Sequence, residues 1–531
     1  MAAKKTTGKP VKRESVPAAP PKKLSIGWLT GILVLAAVLR LYALGSVPRG
    51  FYGDEAMDGN NAAQALETGQ FHVFYPENNG REGLYINLSA PFVLFLGNTI
   101  AAMRLVAAIS GILTVWLVYL LGAGWFSARV GLIAAFLLSC STWHLHNSRL
   151  TSRANLSPLF LCLTLYLLAK AFERRHDLRS YLIAAVGAGI AYGLGLHTYI
   201  NYRVTPVLVA AFWFWWLIRA RREKWTRQFW LGTGCFTAAA VIVMAPLLLY
   251  FYSHPGAFTG RAGAVAAWNS PTAPPNPIWT HTVATAQMFF DRGDHAWRHN
   301  ISDRRELFLP VAVVFGVGLA VTLVSLIRAR KNRFLYGFLM LWMAVAAVPS
   351  ILSADEIHAL RTTLMIPAVF LIAGLGGEWL WDLAAAILPA APVKVLAVVF
   401  CIAVIVDPVK SYFVDWATHE WVARSYDAWL VDVAAQIRAA GRGKTRYIVI
   451  PYVEGENAGI PVLVQAVPYL TRSYTENQQK QANIRYIVQT DPRSNSPAQF
   501  CDQARTQHAD GEVFCVAYKP DLLAPAIPVH R

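Results

Sequence analysis

Charged residues are scarce in this sequence. Only 15% of its 531 residues are Asp, Glu, Lys or Arg, whereas soluble domains carry roughly 25%. Hydrophobic residues make up 55% of the chain, more than one globular core accommodates. The low charge therefore excludes an ordinary soluble domain and predicts a membrane protein, with lipid covering the apolar surface.

Acidic residues are scarcer than basic ones, 31 against 48, which gives a net charge of +17. The basic residues lie in short clusters at the ends of apolar runs, which is typical of membrane topology and argues against a nucleic-acid partner. Phosphate-loop, dinucleotide, zinc-protease and nucleophile-elbow motifs are missing as well. Their absence argues against an ATP-driven pump and a lipase.

Cysteine is also rare, with six residues in the chain. That number is too small for a disulfide scaffold in a protein of this length. Four of the cysteines lie inside apolar runs and are expected to behave as small core side chains. Cys501 and Cys515 lie in the polar C-terminal part, where they could pair if that part is outside the cytosol.

Eleven apolar runs are close to the roughly 20 residues that a membrane-spanning helix needs. They cover residues 26–44, 99–122, 129–145, 155–170, 181–198, 204–218, 229–251, 307–327, 334–353, 362–380 and 391–407. The apolar stretch 84–97 is shorter and is predicted to be an interfacial or re-entrant helix. The sequence thus predicts an all-α polytopic membrane protein with about eleven transmembrane helices.

Four basic segments fall on one side of the membrane under this count: residues 1–23, 170–180, 219–227 and 328–333. Positive segments face the cytoplasm, so the N-terminus is predicted to be cytoplasmic and the C-terminus extracytoplasmic in a multi-pass plasma-membrane protein. Three parts follow: a disordered basic tail (1–24), a transmembrane domain (25–408) with large outer loops at 45–98 and 252–306, and a small α/β domain (409–531). Helix 428–440 and strands 446–451, 484–489 and 512–518 are expected in the last part.

The first outer loop contains the adjacent pair Asp54 and Glu55, at the start of a polar helical stretch. Asp54 could simply cap this helix, with Glu55 favourable in its first turn. A carboxylate fixed at a helix start above the membrane is also a well-oriented general base. Arg81 and Glu82, later in the same loop, fit either an interfacial ion pair or a site.

Arginines on the outer side run against the positive-inside rule. Guanidinium groups suit phosphate oxygens, so the set indicates a membrane-embedded phosphate; its members are Arg149, Arg153, Arg203, Arg261, Arg292, Arg298, Arg304, Arg305 and Arg361. Histidines are interleaved with them, at positions 144, 146, 197, 299 and 358. These histidines lie on different loops without metal-ligand spacing, so no metal and no other cofactor is predicted.

Several segments resemble the GT-C superfamily of polyprenyl-phosphate-sugar-dependent glycosyltransferases, in particular the protein-mannosyltransferase-like and aminoarabinose-transferase-like branch. The resemblance covers residues 25–380. Its most specific part is GFYGDEA (50–56) directly after the first helix; looser parts are NGREGLYINLSAPFVLFLG (79–97), HNSRLTSRANLSPLF (146–160), GLGLHTYINYRVTPV (193–207), HPGAFTGRAGAV (254–265), RHNISDRRELFLP (298–310) and HALRTTLMIPAVFLIAGLG (358–376).

The resemblance implies a sugar donor on a polyprenyl phosphate, with Asp54 as general base on an acceptor hydroxyl, Glu55 beside it, and inversion at the anomeric carbon. The acceptor would be a protein, a lipid or a glycan. Expected substrate-binding residues are Arg81, Glu82, Arg149, Arg153, His197, Tyr199, Tyr202, Arg203, Arg261, Arg298, His299, Asn300, His358 and Arg361. Several relatives carry a further acidic residue near 149–155, where this sequence is basic.

Two other functions stay open at this stage. A secondary transporter or lipid flippase would keep ionisable groups at the bilayer midplane, often in repeated halves. The apolar runs here are nearly free of acidic residues, and no half-repeat is visible. A non-catalytic assembly subunit would use the C-terminal part for binding.

Overall fold

The computed structural model describes residues 23–264, 266–267, 276–329, 332–354, 357–452, 459–491 and 496–517, without the side chains of 23–25, 261, 262 and 264. The predicted tail 1–24 therefore lies almost entirely outside the described residues. In chain order the α-helices are α1 (Lys23–Leu41), α2 (Gly53–Thr68), α3 (Leu84–Leu96), α4 (Ile100–Trp125), α5 (Ala128–Ser139), α6 (Thr142–Ser148), α7 (Leu156–Glu173), α8 (Leu178–Leu196), α9 (Pro206–Glu223), α10 (Thr226–Ser253), α11 (Pro255–Ala264), α12 (Pro277–Gln287), α13 (Leu309–Arg328), α14 (Arg333–Ile351), α15 (Ile366–Ile387), α16 (Ala390–Pro408), α17 (Glu420–Ser425), α18 (Ala428–Ala439), α19 (Ala466–Thr471), α20 (Glu476–Ala482) and α21 (Pro497–Gln507). The strands are β1 (Phe74–Tyr75), β2 (Arg81–Glu82), β3 (Arg446–Ile450), β4 (Ile484–Val488) and β5 (Glu512–Cys515).

The membrane-spanning helices match the predicted apolar runs. Within the described ranges, nine helical segments are long and apolar enough to cross a membrane, namely α4, α7 to α10 and α13 to α16 with their flanking turns. Helices α5 and α6 are long and apolar enough only as a pair, and they are bent by 63°, the geometry of a broken span or of a re-entrant loop. Helix α1, which has a shorter apolar stretch, corresponds to the first predicted run. The predicted fold class, an all-α polytopic membrane protein, is confirmed.

The bend between α5 and α6 has a polar cause that hydropathy does not show. Helix α5 ends before Cys140, and the Ser141 side chain caps α6 by accepting a hydrogen bond from the His144 amide (3.3 Å). The buried Arg40 guanidinium of α1 donates to the carbonyl of Ser139 (3.0 Å). Carbonyls at a helix end need such partners inside a membrane protein, so Arg40 stabilises the break.

Helix α15 lies at the centre of the bundle. All of its residues from Ile366 to Gly376 are buried. It packs closely against α13 because both helices have glycine at the contact: a Cβ on Gly318 would lie 2.0 Å from the Ile372 carbonyl oxygen, and one on Gly376 would lie 2.1 Å from that of Val314. Such small residues let membrane helices approach at backbone distance. By contrast, α10 and α16 expose apolar faces that suit lipid.

The C-terminal part contains a parallel three-stranded sheet in the order β4-β3-β5. Its strands and helix α18 lie within three residues of the segments that the sequence predicts. A disulfide joins Cys501 on α21 to Cys515 on β5. The division of the chain into three domains stays a prediction.

The C-terminal part packs directly on α2. A Cβ on Gly53 would lie 2.4 Å from the Val462 carbonyl oxygen, so only glycine fits at this contact. Further along α2, the Asn60 side chain donates to both the backbone and the side chain of Gln465 (3.0 and 2.7 Å). The helix that begins at the Asp54 motif is therefore fixed from the side of the C-terminal part.

Candidate active site

Asp54 is held in one orientation by two neutral donors. The Tyr52 hydroxyl donates to one carboxylate oxygen, and the Asn78 amide donates to the other (2.6 Å). Tyr52, not Asp54, occupies the N-cap position of α2, and Asp54 is the second residue of the helix. The carboxylate is thus not the N-cap of α2, which removes the simplest structural explanation for it.

A cavity of about 60 Å³ opens beside this carboxylate. Its walls come from five separate loops and are formed by Tyr52, Asp54, Asp58, Arg81, Leu150, Thr151, Ser152, Arg153, Ala154, Tyr199, His299 and Leu360. Five predicted site residues are among them: Asp54, Arg81, Arg153, Tyr199 and His299. We refer to this space as the Asp54 cavity.

The two arginines of the cavity are positioned by acidic partners. Arg81 donates to Asp58 (2.6 Å), and Arg153 donates to Glu82 (3.0 Å). Arg203 lies 3.5 Å from the other oxygen of Glu82, donates to the Phe258 carbonyl and is not among the residues that line the cavity. Burial raises the pKa of Asp58 above its usual range, although Arg81 and Arg153 act in the opposite direction. Glu82 and Asp58 therefore orient basic groups next to Asp54.

Arg298 supplies positive charge next to the Tyr52–Asp54 pair. Its guanidinium carbon lies 4.0 Å from the centre of the Tyr52 ring, within cation–π distance. Burial, together with the charge of Asp54, raises the pKa of Tyr52 well above its usual range, so the hydroxyl keeps its proton. The Tyr426 hydroxyl donates to the Arg298 carbonyl (2.9 Å), which ties this arginine to the C-terminal part.

The structure corrects the prediction for Glu55. Its side chain is fully buried and pairs with Arg104 through two contacts of 3.0 Å. It also accepts a hydrogen bond from the Thr151 amide (2.7 Å). Glu55 is not part of the cavity wall; it joins the start of α2 to α4 and to Thr151, which does contact the cavity.

Arg149 is likewise a structural residue. Its guanidinium donates to four backbone carbonyls at and beyond the end of α1, those of Leu39, Arg40, Tyr42 and Val47 (2.7–2.9 Å). These bonds satisfy helix-end carbonyls that have no partner within α1. A phosphate would have to displace these four hydrogen bonds, so the contacts of Arg149 do not support its predicted role in binding the donor.

Three further predicted residues belong to the scaffold. Tyr202 is buried against Tyr192 in the helix bundle. His197 contacts the Val243 carbonyl (Nε2 to oxygen, 2.9 Å). Asn300 donates to carbonyls of its own loop, among them that of Asp294 (3.3 Å). None of the three is part of the cavity wall.

The structure leaves the predicted roles of Arg361 and Arg261 as predictions. Arg361 directly follows Leu360, which contacts the cavity, and its carbonyl lies 3.5 Å from the Asn201 amide nitrogen. The backbone of Arg261 lies in α11, and its side chain is outside the described residues.

Two histidines from different loops meet at an aspartate. Asp294, His299 and His358 each offer a ligand atom, and these three atoms lie within 4.8 Å of one another. The prediction that no metal spacing exists considered positions along the chain, whereas the fold brings the two loops together. Burial would raise the pKa of Asp294, but the hydrogen bond and charge of His299, with the charge of His358, lower it to about 2.

Sequence reasoning missed several residues at this site. Tyr52, Asp58 and Asn78 contact or surround Asp54 but carried no individual prediction. Asn78 has a positive φ of 52°, as part of the tight turn Asn78-Asn79-Gly80. Asparagine tolerates this backbone region. The sequence Asn78-Asn79-Gly80 therefore indicated a tight turn, and it is this turn that carries the Asn78 amide which donates to Asp54.

Comparisons with known proteins agree with this architecture. Residues 86–250 match the family described as dolichyl-phosphate-mannose-protein mannosyltransferase. The structure is similar to that of ArnT from Cupriavidus metallidurans bound to undecaprenyl phosphate, with a TM-score of 0.55 and 14% identity over 94% of this chain and 89% of that one. The chain has the fold of the GT-C glycosyltransferase superfamily. The expected resemblance is therefore confirmed.

A second GT-C structure is similar over most of the chain. It is the archaeal oligosaccharyltransferase AglB from Archaeoglobus fulgidus in complex with an inhibitory peptide and a dolichol-phosphate, with a TM-score of 0.53 and 13% identity over 88% of this chain and 69% of that one. No curated protein sequence matches the chain. At these identities the structural likeness establishes the GT-C fold, and the chemistry has to be argued from the Asp54 cavity.

Proposed function

We propose that this protein is a membrane glycosyltransferase that moves a sugar from a polyprenyl-phosphate donor to a hydroxyl acceptor, with inversion. The observation that carries the proposal is the Asp54 cavity, in which an oriented carboxylate faces two buried arginines. A base for the acceptor and cations for the leaving phosphate are the groups that this reaction needs. The lipid phosphates bound to the two similar GT-C structures support a donor of this class.

The reaction we propose is a single displacement. The acceptor oxygen attacks the anomeric carbon, the bond from that carbon to the phosphate oxygen breaks, and the hydroxyl proton passes to Asp54. The polyprenyl phosphate leaves with the electron pair of the broken bond. Negative charge grows on this phosphate in the transition state, where Arg153 and Arg81 stabilise it by charge-assisted hydrogen bonds.

The hydrogen bonds at Asp54 suit a base. Tyr52 and Asn78 both donate to the carboxylate, so its orientation is fixed before substrate arrives. Catalytic groups that are oriented in advance need no reorganisation during the reaction. Arg298, stacked on Tyr52, balances the charge of Asp54 without taking its lone pairs in a direct ion pair.

The proposal is tested by offering a panel of radiolabelled polyprenyl-phosphate sugars to membranes that contain the protein and scoring label in the protein, lipid and glycan fractions. The protein should transfer sugar from at least one of these donors, and Asp54→Asn should slow that transfer by about 10²-fold or more. Asp432→Asn is the matched control, because Asp432 is exposed and pairs with Arg49 at the surface. Donor movement across the bilayer without any transfer would support a flippase instead.

We further propose that the Asp54 cavity and the C-terminal part face the extracytoplasmic side of a plasma membrane. Basic clusters lie at the opposite end of the helix bundle, at the ends of α7, α9 and α13, and such clusters are typical of the cytoplasmic side. The Cys501–Cys515 disulfide also suits an oxidising compartment.

Cysteine labelling checks this orientation. A Lys12→Cys variant should react with a membrane-impermeant maleimide only after the membrane is opened, whereas Lys480→Cys, at an exposed position on α20, should react in intact cells. The four native cysteines that are not in the disulfide are buried or half-buried, which keeps the background low. Labelling of both positions from the same side would contradict the topology.

Loss of Arg153 should weaken use of the donor. A hydrogen bond to a charged group contributes about 1.5–3 kcal/mol, so Arg153→Ala should lower kcat/KM for the donor by about 10- to 150-fold. Arg292→Ala is the matched control, because Arg292 is a half-exposed arginine of the large loop and is not part of the cavity wall. Equal kinetics for the two variants would mean that Arg153 forms its ion pair with Glu82 but does not bind the donor.

A further inference from the structure

We infer that Asp294, His299 and His358 form a binding site for one divalent cation of the zinc class at the wall of the Asp54 cavity. Two imidazoles and one carboxylate are a ligand set that zinc uses when it keeps a position open for water or substrate. Magnesium and calcium prefer oxygen ligands alone. The inference does not rest on the proposed function, because cation binding is measurable without turnover.

The geometry is close to what a cation requires. The three ligand atoms lie within 4.8 Å of one another. Ligands of a tetrahedral zinc ion, with metal–nitrogen distances of about 2.0–2.1 Å, are about 3.3–3.5 Å apart. His299 Nδ1 is already 3.3 Å from the Asp294 carboxylate. Rotation of the His358 ring, whose centre is 4.9 Å from that of His299, would complete the set.

Backbone hydrogen bonds orient the Asp294 carboxylate, as they commonly do for carboxylates that bind metals. Its Oδ1 accepts a hydrogen bond from the Ala296 amide, and its Oδ2 accepts one from the Ala359 amide, both at 2.8 Å. The second bond joins the large loop to the loop that carries His358. Carboxylates that bind metals are oriented by such outer contacts. Asp294 and His299 are also buried, at 3% and 8% exposure, so bulk water does not compete strongly for the site.

The position gives the cation a place in the active site. His299 contacts the Asp54 cavity, so an ion on its imidazole would lie at the cavity wall. Three protein ligands leave a coordination position for water or for a phosphate oxygen. The ion would add a third positive charge to a cavity wall that already carries Arg81 and Arg153.

Zinc binding to the full-length protein in detergent tests the inference. The protein is purified with a tag that contains no histidine, treated with a chelator, and titrated with Zn²⁺ by calorimetry, with bound metal measured after desalting. One ion per chain is expected. Zn²⁺ should also raise the thermal unfolding midpoint of the wild type. Changes to outer contacts already weaken metal sites by about 10- to 100-fold, so His299→Gln and His358→Gln should lose at least that much affinity.

His295→Gln is the matched control, because this half-exposed histidine belongs to the same loop but hydrogen-bonds Asp303. It should bind zinc as the wild type does. Glutamine keeps the approximate size of histidine, and equal unfolding midpoints without metal show that the variants fold. No stoichiometric ion in the wild type, or undiminished binding and stabilisation in both His299→Gln and His358→Gln, would overturn the inference.

Discussion

The Asp54→Asn protein should insert into the membrane at the wild-type level and transfer sugar about 10²- to 10⁴-fold more slowly. A hydroxyl acceptor gives up its proton only as the new bond forms, so the reaction needs a positioned base. Asparagine has nearly the same shape as aspartate and can still accept a hydrogen bond from Tyr52 or Asn78, but it cannot take a proton. The expected loss is therefore in kcat rather than in the amount of folded protein.

Asp54→Ala separates the chemical role from a structural one. It should be as inactive as Asp54→Asn, and its unfolding midpoint should fall only slightly, since Tyr52 rather than Asp54 occupies the N-cap position of α2. Transfer is measured with saturating labelled donor at equal amounts of purified protein. Near-normal transfer by Asp54→Asn would exclude Asp54 as the base and leave Asp58 as the remaining carboxylate of the cavity wall.

Arg104→Ala should destabilise the protein by about 3–5 kcal/mol, the cost of breaking a fully buried ion pair from one side. Glu55 would remain buried without its cation, because both of its contacts with Arg104 would be lost. Arg104 also donates to the carbonyls of Pro48 and Gly50 (3.0 and 2.9 Å), which would lose their partner. We expect a steep fall in the unfolding midpoint in detergent and a low yield from membranes.

Arg49→Ala is the matched control for Arg104→Ala. Arg49 lies in the first outer loop, as Glu55 does, and forms an ion pair with Asp432 at 2.6 Å, but both side chains are more than half exposed. Exposed pairs contribute about 0–1 kcal/mol, so this variant should unfold within a few degrees of the wild type. Similar unfolding midpoints for Arg104→Ala and the wild type would show that the Glu55–Arg104 ion pair does not stabilise the first loop.

Hydropathy was sufficient to predict the helix bundle because a spanning helix needs a long apolar run, and all eleven runs correspond to helices. The bend at Cys140 was not predictable in this way, because the hydropathy of the run 129–145 does not show the polar contacts of Arg40 and Ser141 at the break. Arg40 and Arg104 lie inside apolar runs. A charged residue there has to find a partner, and this was an available signal for the buried polar contacts.

The site was only partly predictable for a similar reason. Asp54 stood out because it directly follows the first helix, and the surplus of arginines indicated a basic cavity. Composition could not distinguish Arg153, which contacts the cavity, from Arg149, which caps α1, since both lie in one short segment. The meeting of His299 with His358 depends on how two loops pack, so no spacing along the chain reveals it.

The anomeric configuration of the product tests the central claim most directly. Wild-type protein is given a donor of known configuration, and the linkage formed is determined by NMR before any hydrolysis. A base at Asp54 acts in a single displacement, so the product should have the opposite configuration to the donor. A product with the donor's configuration would mean two displacements through a sugar–enzyme intermediate, and it would contradict the role of Asp54 as a general base.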